Sequence, residues 1–223
     1  MHQRKSKKLL IYFFLLILFG SINNINLIDT NFYKIKDIKI SGLEINENKD
    51  ILKKIQYLKL NNIFFINRKN LNEIIENNTL VERFQIFKKY PSSLNIVIER
   101  TQFLANINLD GQIFFVGSNG KLSKQNAYDE KLPFIFGKPN IKEFLNFKKQ
   151  IDQSKISYSQ IKNMFFFPSK RWDIELKNGT IIKLPKSNIK KSLNRSFEVL
   201  NDEKLKNIKI IDVRIKNQII LNE

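Results

Sequence analysis

The first forty residues constrain this chain more than any other stretch. Arg4, Lys5, Lys7 and Lys8 lead into an apolar run from Leu9 to Ile22, and only beyond it does the sequence turn polar and patterned. Short Lys/Arg-rich segments stay cytoplasmic, and long following domains translocate largely regardless of their own charge. The pattern therefore predicts a cytoplasmic tail over 1–8, a transmembrane anchor over 9–28 and the bulk of the chain beyond the membrane. Leu9 to Ile22 is 14 residues, roughly 21 Å of helix, against the ~30 Å of a bilayer core. Extension to Ile28 reaches that length and brings Asn23, Asn24 and Asn26 to the outer boundary. The competing reading is a cleaved signal peptide, whose apolar core runs about 7–15 residues. Gly20 and Ser21 are small, but Ile22, Asn23 and Asn24 do not complete an Ala-x-Ala-like site.

Composition narrows the chemistry. There is no cysteine, and the single histidine is His2. Thiolate chemistry, a Ser-His-Asp triad and a histidine zinc site are thus excluded from the part beyond the anchor. No cofactor, metal or small-molecule substrate is expected. The formal net charge is +18. Scattered basic residues without aromatic-interleaved stacking motifs speak against nucleic acid. Anionic lipid headgroups beside an anchored domain are the expected attraction, with the bilayer itself as a partner.

Residues 33–100 read as one small domain. Ile38 and Ile40 alternate with polar neighbours up to Gly42, and Ile51, Leu52, Ile55 and Leu58 recur at helical spacing. A second helix is predicted from Asn70, with Glu73 completing a capping box and Asn77-Asn78 ending it. Phe84 and Ile86, then Leu94, Ile96 and Ile98, mark two strands around a Tyr90-Pro91-Ser92-Ser93 turn. The order is β-α-α-β-β.

That order, beyond a single anchor, resembles a POTRA domain. Leu80-Val81, Phe84-x-Ile86 and Lys88-Lys89-Tyr90-Pro91-x-Ser93-Leu94-x-Ile96-x-Ile98-Glu99-Arg100 resemble the strand-turn-strand signature of the FtsQ/DivIB cell-division family. Gln102 stands where the family usually has a proline.

Residues 101–223 are richer in strands. Asp110-Gly111 is a hairpin signal between Phe103–Ile107 and Ile113–Val116, and Gly117-Ser118-Asn119-Gly120 is a further turn. A helix is predicted from Ile141 to about Gln150. Trp172, Ile174 and Leu176 alternate on one strand of a second hairpin, Ile182 and Leu184 on the other. A two-residue Asn178-Gly179 loop would set Ile174 opposite Lys183. A three-residue loop that includes Thr180 pairs Leu176 with Ile182 and Ile174 with Leu184, and is the predicted form. Ser187 is the predicted cap of a helix with Ile189, Leu193, Phe197 and Leu200 buried and Lys190, Lys191 and Arg195 wet. Ile211, Val213 and Ile215 alternate near the end, before Ile219 to Leu221. Arg171-Trp172 with the following hairpin, Arg195 with Phe197, and Ile211-Asp212-Val213-Arg214 are similar to the family's β domain. The expected class is α+β: one transmembrane helix, a POTRA domain over 33–100 and a mostly antiparallel β domain over 101–223 with flanking helices.

The resemblance implies a non-enzymatic scaffold of the bacterial division machinery, single-pass in the inner membrane at the septum. It further implies FtsB/FtsL-type partners bound by β-strand addition to the last strands, and a part in controlling septal peptidoglycan synthesis. The contact residues it implies are Ile215, Lys216 and Asn217, with Lys170 or Arg171 offering charge to an acidic partner. Ile215 also reads as a core position, and Trp172 as core rather than contact. Two alternatives remain: a POTRA-bearing secretion or envelope-assembly factor, and a hydrolase built on Asp110, Asp129, Glu130, Asp173 and Glu175.

Overall fold

The computed structural model describes residues 5–22, 33–125, 129–205 and 208–222. Helix α1 (Lys5–Ile22) is apolar beyond Lys8, and its side chains from Leu9 to Phe19 are exposed all round. Three of its first four residues are lysines. Among the described residues, no helix is long and apolar enough to cross a membrane. Residues 23–28 of the expected anchor, and 1–4 of the expected tail, lie outside the described residues. Lys5–Lys8 of that tail belong to the helix itself.

Two compact units follow, divided after Arg100. The first runs β1 (Asp37–Ser41), α2 (Ile45–Ile55), two short 3-10 turns (Gln56–Leu60 and Ile63–Phe65), α3 (Arg68–Glu76), β2 (Val81–Lys89) and β3 (Ser93–Arg100). The sheet order is β1-β3-β2, with β1 parallel and β2 antiparallel to the central strand. Leu94, Ile96 and Ile98 of β3 share one buried core with Ile51, Ile55, Leu71 and Ile75 of the helices. Each such burial contributes about 1.5–3 kcal/mol. The expected helical run through Leu58 breaks at Ile55. Leu58 still reaches the core, because a 3-10 turn stacks residues three apart on one side.

Helix α3 starts earlier than its sequence predicted. Asn67, not Asn70, is the cap, and its side chain accepts from the Asn70 N–H at 3.3 Å. Buried Ile66 before the cap and Leu71 in the second turn share the core, a hydrophobic staple that sets the entry point. At the far end of β3, Arg100 grips Glu47 of α2 through two nitrogens at 2.9 and 3.0 Å. Arg83 likewise holds Glu99 at 3.0 and 3.1 Å. The Glu-Arg pair is thus tied to both neighbouring elements.

The second unit is a sheet with two helices on one face. Its strands are β4 (Phe103–Leu109), β5 (Gln112–Gly117), β6 (Leu122–Gln125), β7 (Phe134–Phe136), β8 (Ile161–Phe166), β9 (Trp172–Leu176), β10 (Ile181–Lys183), β11 (Ile210–Asp212) and β12 (Ile220–Asn222). They lie in the order β12-β11-β10-β9-β8-β7-β4-β5-β6. Most neighbours are antiparallel; β4–β7, β7–β8 and β10–β11 are parallel. Helix α4 (Ile141–Asp152) and helix α5 (Ile189–Leu200) supply Phe144, Phe147, Ile151, Ile189 and Leu193 to the core over Ile107, Ile135, Ile174 and Ile182. An Asn140–Glu143 capping box starts α4. Trp172 is core, as expected: it is 3% exposed and stacks on Phe147 at 4.5 Å.

Three local expectations are corrected. The β9–β10 loop does have three residues, but they are Lys177, Asn178 and Gly179. Ile174 faces Ile182, and the Leu176 N–H donates to the Thr180 carbonyl at 2.9 Å. The register is therefore two residues from the predicted one. Apolar faces are preserved under a two-residue slip, so alternation could not separate the two registers. Gly179 takes the left-handed position (φ +89°) that closes such a loop. Thr180 is buried instead and donates to the Ile208 carbonyl at 3.3 Å. At α5 the cap is Asn188, not Ser187, with a left-handed φ of +58° and no capping bond from its side chain. Arg195, expected wet, is half-buried, and Ser192 and Ser196 join the buried side.

Candidate partner-binding edge

Strand β12 closes one end of the sheet, and all three of its residues are exposed. The Ile181 N–H donates to the Lys209 carbonyl at 2.8 Å and the Val213 N–H to the Lys183 carbonyl at 3.0 Å. The Lys209 carbonyl and the Val213 N–H therefore face β10, while the Lys209 N–H donates to the Asn222 carbonyl of β12 at 3.0 Å. Alternation along β11 turns Ile210 and Asp212 toward β12. Their partners are Asn222 and Ile220. By the same alternation the N–H and C=O of Leu221, between those two, face away from β11. That is the geometry of an edge able to accept another strand.

Ile215, Lys216 and Asn217 form the turn that delivers the chain from β11 to β12. Asn217 has a φ of +61°, and Ile215 is 53% exposed rather than core. These three residues line a groove of about 170 Å3 together with Lys191, Ser192 and Arg195 of α5 and with Arg214. Lys191, Arg195 and Lys216 form no ion pair among the described residues. The groove therefore carries uncompensated positive charge at the first turns of a helix, where anions are favoured. Lys191, Arg195 and Arg214 were not among the predicted contacts. They lie some twenty residues from the turn or inside a motif, and only the packing of α5 against the β11–β12 turn unites them.

Lys170 and Arg171 lie before β9 and do not line the groove. Lys170, at a φ of +61°, pairs with Glu143 at 3.2 Å. The Arg171 guanidinium lies over the Phe167 ring at 4.5 Å and donates to Asp173 at 3.3 Å. Asp173 heads a charged row across three strands, Asp173–Lys183–Asp212, set by the register. Arg214 ends it, with Nε donating to both Asp212 oxygens at 2.9 Å. That hydrogen bond holds the Asp212 carboxyl below its ordinary range. Burial pushes the Asp173 carboxyl up, against the opposing pull of Arg171, the Leu184 N–H and Arg214. The carboxylates weighed as a hydrolytic set are tied to separate neighbours: Asp110 to Lys138, Asp173 to Arg171 and Glu175 to Asn163.

The raised Asp173 sets a pH dependence. A group whose folded pKa lies above its unfolded value binds protons more tightly when folded, so its contribution to stability falls as pH rises through that window. Asp173→Asn is therefore expected to flatten the decline of the urea midpoint between the ordinary carboxylate pKa and the raised one. Parallel slopes for the two proteins would contradict it.

Residues 33–100 match the family description "POTRA domain, FtsQ-type", and residues 103–214 match "Cell division protein FtsQ/DivIB, C-terminal". The chain belongs to the FtsQ/DivIB family of cell division proteins. A cell division protein FtsQ of Rickettsia bellii is 23% identical over 189 residues, which cover 83% of this chain and 71% of that protein. A cell division protein DivIB of Clostridium botulinum is 26% identical over 232 residues, covering 93% of this chain and 86% of that one. The solved extracytoplasmic domain of DivIB from Geobacillus stearothermophilus aligns at a TM-score of 0.35 and 12% identity, over 49% of this chain and 98% of that one. That likeness is too slight to bear on the fold. The two family matches meet within three residues of the boundary between the two compact units. The Tyr90-Pro91 turn (a cis peptide) and the Glu99-Arg100 pair lie in the POTRA match; Arg171, Arg195 and Arg214 lie in the C-terminal one.

Proposed function

We propose that this family member is a membrane-held, non-enzymatic scaffold of the division machinery. The open edge of β12 captures a strand of an FtsB/FtsL-type partner, and the assembly helps control septal peptidoglycan synthesis. The observation that carries this reading is the exposed edge position of β12, reached through a turn that lines a basic groove. Backbone hydrogen bonds at an edge give affinity, and alternate side chains give selectivity. Ile215, Lys216 and Asn217, with Lys191, Arg195 and Arg214, meet an acidic stretch of the partner. Lys170 and Arg171 contribute positive field from the neighbouring turn, while Arg171 also holds buried Asp173 in place. An all-round apolar helix has no protein face to bury. This supports α1 as the start of an inner-membrane anchor that runs on toward Ile28, with its lysines on the cytoplasmic side.

The test uses position Leu221. Proline is tolerated on an edge strand where its missing N–H would face solvent. Leu221→Pro is therefore expected to abolish capture of an FtsB/FtsL-type complex in biolayer interferometry while leaving the circular-dichroism melt unchanged. Lys216→Glu should weaken capture and make the remainder less sensitive to salt. Full capture by Leu221→Pro would refute the edge. Proline at Asn217 is a poor probe, because a φ of +61° is closed to that ring. Charge reversal at Arg171 is equally poor, because it strikes Asp173.

A further inference from the structure

One end of the first unit is aromatic and strongly basic, with Asp37 at the start of β1, paired to Lys39, as the carboxylate that adjoins the segments meeting there. Three segments meet there. The Ile63 N–H donates to the Tyr33 carbonyl at 2.9 Å, the Ile35 N–H to the Asn61 carbonyl at 3.1 Å, and the Lys36 N–H to the Ser92 carbonyl at 2.8 Å. These bonds bring residues 33–36, 56–70 and 86–93 to the end where β1 begins. The three segments contain no Asp or Glu, yet carry Lys34, Lys36, Lys59, Arg68, Lys69, Lys88 and Lys89. None of those seven forms an ion pair among the described residues. Phe64 stacks on Tyr90 at 5.1 Å and meets the Tyr33 ring edge-on at 5.3 Å. Leu60 and Phe65 are 79% and 70% exposed. The Asn62 side chain caps the turn that holds Phe64 and Phe65 outward. Two nearly bare apolar side chains and the half-exposed Phe64 thus share segments whose cations form no ion pair among the described residues.

We propose that this end of the first unit is a membrane-contact surface for anionic phospholipid: Leu60, Phe64 and Phe65 sit at headgroup level, and the surrounding lysines and Arg68 meet the phosphates. Aromatic rings favour the interface between water and lipid, and basic clusters favour anionic leaflets. The chain also enters the unit here. Only ten residues, 23–32, separate Ile22 of α1 from Tyr33. At about 3.3–3.6 Å per residue they reach at most about 36 Å. Under the anchored reading proposed above, the patch lies within that distance of the bilayer; the charge and exposure arguments do not depend on it. Lys88 ties a cation to the aromatic tip, donating to the Phe64 carbonyl at 3.4 Å. The lipid surface is favoured over a protein partner because the cations are spread over three converging segments instead of lying along one strand or helix.

The test takes residues 33–223, which carry both hydrophobic cores but not α1, and sediments them with vesicles. Binding is expected to vesicles containing phosphatidylglycerol and not to pure phosphatidylcholine. Leu60→Ser with Phe65→Ser, and separately Lys59→Gln with Arg68→Gln, should each lower the partition constant about tenfold or more, with unchanged melting. Leu221→Pro should bind vesicles like the parent, so failure of partner capture and failure of lipid binding are read apart. Three results would overturn the proposal: no binding to the anionic vesicles, equal binding by both double variants, or a dimer in sedimentation velocity that Leu60→Ser with Phe65→Ser dissolves. The last would give the patch to a second copy of the chain.

Discussion

Replacing Gly42 with alanine is expected to unfold the first unit under conditions where the parent is stable. Gly42 follows β1 at a φ of +110°, and a Cβ built there would lie 1.7 Å from the Ile98 carbonyl oxygen. Two costs combine. A non-glycine residue in such a sparsely populated region costs about 1–3 kcal/mol. Overpacking against backbone that cannot swing aside adds about 1–3 kcal/mol. The obstructing atom belongs to β3, the central strand that pairs with both β1 and β2, so relief by movement would break the sheet. A loss of more than about 3 kcal/mol is a large fraction of a small domain's stability. Residue 172 is the only tryptophan and lies in the second unit, so its fluorescence reports that unit alone. The expected signature is loss of the first unit's circular-dichroism transition with a normal Trp172 emission transition. A parent-like melt of both would show that the Gly42 backbone is not under the stated constraint.

Trp172→Ala is expected to produce the opposite pattern, destabilising the second unit by about 3–5 kcal/mol. The indole stacks on Phe147 of α4 with planes 6° apart and meets the Phe166 ring at 4.8 Å. Its removal leaves a cavity between helix and sheet that neither ring can fill alone. A drop in urea midpoint confined to the second unit, with Leu221-dependent partner capture lost only as that unit unfolds, is the expected result. Unchanged stability with lost capture would make Trp172 a contact instead of a core residue.

Much of the architecture was legible because local rules and the tertiary fold agree. Period-two runs at Leu94–Ile98 and Trp172–Leu176 became strands with those residues buried. Asp110 and Gly111 both take positive φ, as a two-residue hairpin requires. The helices around Ile51 and Leu193 bury the centres of their predicted stripes, Ile51 with Ile55 and Ile189 with Leu193, while Leu52, Phe197 and Leu200 are half-buried. The misses occur where a local rule has two equally good answers. Asn67 and Asn70 are both competent caps, and Ile66 decided between them. Two registers of the β9–β10 hairpin bury the same faces, and burial of Thr180 decided between those.

The candidate site shows the same division more sharply. Alternation and turn residues determined, without any structure, that the chain holds a β-α-α-β-β unit and a strand-rich unit with a short strand near its end. They could not say that Ile215 is exposed, that Arg171 is engaged by a buried aspartate, or that Lys191 and Arg195 share a groove with Asn217. Side-chain period is a property of the local backbone and is written in neighbouring residues. Which cation is paired and which is left free depends on what distant segments are packed beside it, and only the assembled sheet and helices decide that.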